Sequence, residues 1–183
     1  MIGWLMGSSA RVAMVGVCLA AAIGAGAARA QDSAGSCGAD GWEMSREIAA
    51  FKSTAENLPA AVAQFNLPPL ELGVLYVLKL SPQERVQYPQ STNKKSLVRN
   101  PLGGLATLTV PADGQYRITV DSPLWIDVVG PDGIIAPSAY TGWHECRLFR
   151  KSVEYALPGG KPLTVQISEA TPELIRIVVV AKH

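Results

Sequence analysis

The stretch TGWHEC, residues 141–146, places a tryptophan, a histidine, a glutamate and a cysteine in succession in a chain with only two histidines. Imidazole, carboxylate and thiolate groups bind zinc, copper and iron, and such sites generally take three or four of them. The other histidine, His183, is the final residue, and chain ends are seldom tied down. His144, Glu145 and distant carboxylates make a poor ligand set, so no metal and no cofactor are expected. Nucleophilic chemistry is equally short of parts. No GxSxG elbow occurs after residue 30, and a Ser-His-Asp arrangement would have to recruit His144, with no serine marked as activated. No spacing singles out an acid and base pair of carboxylates, and no glycine loop precedes a helix to cradle a phosphate.

What Cys146 does instead depends on the compartment. Arg11, the apolar run VAMVGVCLAAAIGAGA at 12–27 and ARA at 28–30 have the order of a secretory signal cleaved before Gln31. A retained membrane helix would need about 20 strongly apolar residues, and this run is mostly Ala and Gly. Cys18 follows Val17, where lipid-modified cysteines normally follow a small residue, so a lipoprotein is not expected. Cleavage removes Arg11 and Arg29, two of sixteen basic residues, and none of the fifteen acidic ones. The balance left offers no basic field for nucleic acid and no polybasic membrane patch. The remaining chain of about 150 residues is the size of one domain. Its two cysteines, Cys37 and Cys146, are expected to pair as a disulfide in an oxidising periplasm or outside the cell, the alternative being two free thiols. Closing a loop of roughly 110 residues would stabilise the fold by about 4 kcal/mol in the chain-entropy model.

The elements that carry TGWHEC follow from periodicity. After a flexible segment, 31–41, residues 42–58 are predicted to form a helix. Met44, Ile48, Phe51 and Ala55 make its apolar stripe, Glu43, Arg46, Glu47, Lys52 and Glu56 lie elsewhere, and Pro59 ends it. From Leu72 the pattern changes to period two. LGVLYVLKL, LATLTV, QYRITV, LWIDVV, RKSVEYAL, LTVQIS and LIRIVVV are predicted strands, with RVQY a possible short one, separated by PADG, GPDG and LPGGKP turns. Seven or eight closely spaced strands imply a mainly β domain over 42–183, an antiparallel β-sandwich or jelly roll with the amphipathic helix packed on it. Tyr116, Ile118 and Val120 share one face, as do Leu163, Val165 and Ile167. The last strand is apolar on both faces, and the helix is the expected cover for the second.

Two positions break the pattern. LWIDVV sets Trp125 and Asp127 on one face, and Lys151 shares a face with Phe149, Val153 and Tyr155. An unpaired buried charge is costly, so Asp127 is expected to pair with Lys151 or Arg150 unless all three reach solvent. The connection 136–146, APSAYTGWHEC, carries Tyr140, Trp143 and His144. These residues are candidates for a ligand or partner surface, the alternative being that Trp143 packs over the disulfide and the loop folds back.

The runs GQYRITVDSPLWIDVV, TGWHECRLFRKSVEYAL and LTVQIS resemble a family of small secreted proteins of Gram-negative bacteria, some of which carry the name homogentisate dioxygenase. The resemblance extends from about Cys37 to Val180. Enzymes with that activity are much longer cupin-type proteins holding iron with two histidines and a glutamate, and one usable histidine cannot build that set. The sandwich is also similar to noncatalytic modules appended to secreted bacterial enzymes, a likeness of architecture alone. The expected function is therefore that of an exported, noncatalytic β-sandwich protein binding an envelope protein or a small molecule. A metal-dependent oxidoreductase using His144, and a carbohydrate-binding module using Tyr140, Trp143 or Trp125 as a stacking platform, are the alternatives.

Overall fold

The computed structural model describes residues 37–38, 41–91, 96 and 98–182. The signal expected at 1–30, most of the segment 31–41, and His183 lie outside these residues. Helix α1 (Ser45–Phe51) is followed by β1 (Glu56–Pro59), β2 (Pro69–Leu70), β3 (Tyr76–Lys79) and β4 (Ser81–Pro82), then a 3-10 turn at Gln83–Arg85. The remaining strands are β5 (Leu102–Thr109), β6 (Gly114–Val120), β7 (Trp125–Gly130), β8 (Gly133–Ile135), β9 (Pro137–Gly142), β10 (Lys151–Leu157), β11 (Pro162–Ala170) and β12 (Leu174–Ala181).

They form two packed sheets, ordered β1-β3-β12-β6-β10-β9 and β2-β5-β11-β7-β8, with β4 also paired to β5. The result is a β-sandwich with one short helix. Both sheets are mixed rather than purely antiparallel, because β1 runs parallel to β3 and β2 parallel to β5. The alternating residues of the central strands meet between the sheets as expected. Tyr116, Ile118 and Val120 of β6, Val153 and Tyr155 of β10 and Ile177 and Val179 of β12 share one buried cluster with Ile126, Val128, Leu163, Val165 and Ile167 of the other sheet. Each such side chain contributes about 1.5–3 kcal/mol of apolar burial.

The helix is shorter than its sequence pattern. Its last turn closes with Ser53 Oγ donating to the Ala50 carbonyl at 2.8 Å, and residues 56–58, expected to be helical, pair with β3 instead. Pro59 therefore ends an edge strand, where a missing N–H is tolerated, and not a helix. Met44 and Phe51 of the apolar stripe are buried, but Glu47, placed off that stripe by sequence, is only 1% exposed. The helix packs on β12, where Val178 and Val180 join Met44, Phe51, Trp143 and Phe149 in a second apolar cluster. The second face of β12 is thus covered by the helix. Phe149 was expected beside Val153 and Tyr155; it precedes β10 and lies in this second cluster instead, with its ring 5.4 Å from that of Phe51.

The outer face of the other sheet is covered by a connection. Gln166 and Ser168, on the face of β11 opposite the core, are buried. The Tyr88 hydroxyl donates to the Ile167 carbonyl at 2.8 Å, and the Gln90 amide to Gln166 Oε1 at 3.0 Å. Desolvation in this position, more than the nearby Glu169 and Asp127 carboxylates, pushes the Tyr88 hydroxyl pKa up. The approach is close enough to require glycine in β5, since a Cβ on Gly103 would run into the Tyr88 side chain and meet the Ile167 carbonyl oxygen at 2.7 Å.

The connection 136–146, read as a loop between strands, contains β9, and β8 lies just before it. The chain leaves one sheet at β8 and enters the other at β9 with only Ala136 between them, so both strands are edges on the same side of the sandwich. Ser138 is an extra residue in the β9–β10 ladder, where Glu154 faces Ala139 and Tyr155 faces Pro137. β9, Pro-Ser-Ala-Tyr-Thr-Gly, carries little of the β-branched signal from which strands are read, and β8 is only 3 residues long.

Candidate functional site

TGWHEC is divided between two environments. Cys146 is fully buried and bonded to Cys37 at 2.01 Å, across 109 residues of chain. Trp143 is 6% exposed; its indole N–H donates to Ser152 Oγ at 3.0 Å, and its ring meets those of Phe149 and Trp42 edge-on at 5.7 and 6.1 Å. Trp143 therefore belongs to the packing around the disulfide and not to an open binding surface. His144, one residue further on, is exposed.

Tyr140 and His144 do come together, on a cleft of about 670 Å³ at the end of the sandwich. This volume is within the range of about 300–1,000 Å³ that small-molecule sites occupy. Strands β9 and β10 form one wall through Tyr140, Thr141, Gly142 and Lys151, and the start of β7 contributes Leu124 and Trp125 from the opposite sheet. Cross-strand pairing explains the placement. Val153 lies opposite Tyr140 and Lys151 opposite Gly142, so Tyr140 projects on the core side of its sheet, but from an edge strand where little covers it. Tyr140 is 74% exposed and Trp125 is 40% exposed.

The cations of this cleft are held by main-chain carbonyls. Lys151 Nζ donates to the Leu124 carbonyl at 2.8 Å and lies 4.4 Å from the centroid of the Trp125 ring, a cation–π contact. Arg150 Nη1 donates to the His144 carbonyl at 2.6 Å and reaches that of Trp143 at 3.5 Å. The expected pairing of Asp127 with Arg150 or Lys151 is thus replaced. Lys151 does share a buried face and does need a partner, but a carbonyl dipole and an indole face supply it. Asp127 stands half-buried on the outer face of its sheet, opposite Gln166.

Beneath α1 lies an ion network that sequence reasoning missed. Arg117, 4% exposed, donates to Glu47 Oε1 at 2.8 Å from Nη1, and to Glu154 Oε1 at 2.8 Å from Nη2 and 3.1 Å from Nε. Nη1 also reaches the Glu43 carbonyl at 2.7 Å, and the guanidinium lies 4.7 Å from the Trp42 ring. Lys182 Nζ donates to the second oxygen of Glu154 at 2.7 Å. Burial pushes the Glu154 carboxyl up, but the hydrogen bonds and charges of Lys182 and Arg117 outweigh it and hold its pKa below the usual range. The available signal was Arg117 in the middle of an apolar strand, on the face opposite Tyr116, Ile118 and Val120.

Among the described residues, no three His, Cys, Asp or Glu side chains converge as a metal site requires. No described imidazole stands beside that of His144, and Cys146 is committed to the disulfide, so the described residues do not assemble two histidines and a carboxylate. No described helix is long and apolar enough to cross a membrane. Compared with family models, with curated proteins and with solved structures, the chain has no match.

Proposed function

We propose that this is an exported, noncatalytic β-sandwich protein that binds a small ligand in the cleft between β9, β10 and the start of β7. The observation that carries this reading is the pair of exposed rings, Tyr140 and Trp125, set on a fixed scaffold beside carbonyl-anchored Arg150 and Lys151. Aromatic side chains exposed in this way are costly unless covered in use, and they offer large contact area at low conformational cost. The sandwich and the disulfide hold the cleft walls rigid, which favours binding over chemistry that needs moving parts. Among the described residues of the cleft, no hydroxyl is hydrogen-bonded to His144 as an activated nucleophile would be.

The carbohydrate-binding reading gains from the same exposure, on Tyr140 and Trp125 rather than Trp143. A screen of small molecules by thermal shift, run in parallel on the native protein and on Trp125→Ala and Tyr140→Ala, tests the site. Ligands that raise the melting temperature of the native protein but not of either variant are expected. Ligands that protect all three equally would place binding elsewhere, and turnover of any of them would remove the noncatalytic reading.

A further inference from the structure

Cations outnumber carboxylates among the described residues of the cleft. Arg150 and Lys151 line it together with His144, and the carboxylate among them, Glu169, is buried and accepts hydrogen bonds from Gln83 Nε2 at 3.0 Å and Ser96 Oγ at 2.6 Å. The Arg150 guanidinium is fixed by one nitrogen. Nη1 is bound to the carbonyls of His144 and Trp143, whereas Nε and Nη2 make no hydrogen bond among the described residues. A guanidinium oriented in this way has lost its rotamer freedom already and keeps a pair of parallel N–H groups, the fork that matches a carboxylate or phosphate bidentately. Lys151 covers part of Trp125 and adds a second positive charge within reach of the same ring.

The Tyr140 ring carries a hydroxyl and the Trp125 ring an indole N–H, and His144 lines the same cleft, so the cleft asks for a ligand with an apolar face and hydrogen-bonding edges. A pyranose fits: its axial C–H bonds form a face attracted to the negative face of an aromatic ring, and its hydroxyls form the rim. We infer that the ligand is an acidic sugar, a pyranose carrying an oxyanion, stacked on Tyr140 or Trp125 with the anion held by Arg150. This inference rests on the cleft being the binding site, and it fixes the class of ligand. A carboxylate, as in a uronic acid, and a sugar phosphate share the chemistry.

Calorimetric titration of the intact protein with glucuronate and galacturonate oligomers, sugar phosphates, the neutral parent sugars and benzoate separates the possibilities. An acidic sugar should bind at least tenfold tighter than its neutral parent, and which acid does so identifies the source of the anion. That preference should weaken as salt is raised from low to physiological ionic strength, because the contact is exposed. Arg150→Gln should remove the preference, leaving acidic and neutral sugars equal, while Tyr140→Ala weakens both. Because Arg150 also ties down residues 143 and 144, the salt dependence on the unaltered protein tests the same contact without relying on the variant. Equal affinity for acidic and neutral sugars would overturn the acidic-sugar assignment and leave the cleft as a sugar site. Binding of benzoate alone would overturn the sugar while keeping the cleft. Failure of every probe in a protein whose Tyr140→Ala variant also abolishes no thermal shift would overturn both readings.

Discussion

Arg117 shows how one buried charge is made tolerable. Its guanidinium is shared by two carboxylates, a carbonyl and an indole face, and removing either partner of such a buried pair typically costs about 3–5 kcal/mol, since the other is left uncompensated. The acid response follows from Glu154. Its folded-state pKa is lowered, so its contribution to stability is fully present above the ordinary glutamate value of 4.5 and is lost as pH falls through the lowered one. Melting temperatures measured from pH 6 down to pH 2.5 should fall below about pH 4.5, and Glu154→Gln should start lower and show a flatter acid limb. An unchanged acid limb in the variant would show that other carboxylates govern the transition. Residue types alone gave little warning of this network. Glu47 looked like a solvated helix residue because amphipathic patterns treat every charge as outward-facing, and the pairing that draws it inward joins positions 70 residues apart.

Helix α1 holds its place by its apolar side as much as by its charges. The Phe51 ring packs on Phe149 and also receives the Arg176 guanidinium at 5.2 Å. Phe51→Ala should destabilise the protein by about 3–5 kcal/mol in urea unfolding; an unaltered midpoint would mean that the helix is not docked in solution. The long strands β5, β6, β7, β10, β11 and β12 were legible because their alternation or β-branched content is strong. β1, β2, β8 and β9 were not. Their residues are Pro, Gly, Ser, Asn and Ala among others, and they become strands because a neighbour offers its edge, which no local pattern records. The same blindness affected the candidate site. Tyr140 and His144 stood out in the sequence and line the cleft, but Trp125 entered only as an alternative and Arg150 and Lys151 only as ion-pair members, because the cleft draws its lining from strands of both sheets.

The sandwich is closed by sulfur at the point where the TGWHEC stretch ends. The disulfide ties Cys37, ahead of α1, to Cys146, two residues past His144. Replacing both cysteines by serine should lower stability by about 4 kcal/mol on the chain-entropy estimate, read as a reduced urea midpoint. If the cleft rides on this knot, the same variant should also bind ligand more weakly at temperatures where it remains folded. A reduced and an oxidised protein with equal midpoints would show that the bridge adds nothing to the native balance.

The exposed border formed by β9 has a colloidal consequence. A bare strand edge is a template on which another chain can lengthen a sheet without limit. Here the border opens with Pro137, which has no N–H to offer, and Ser138 throws the next residue out of step. Concentrated solutions should therefore stay clear where an uninterrupted border of the same length would seed fibrils.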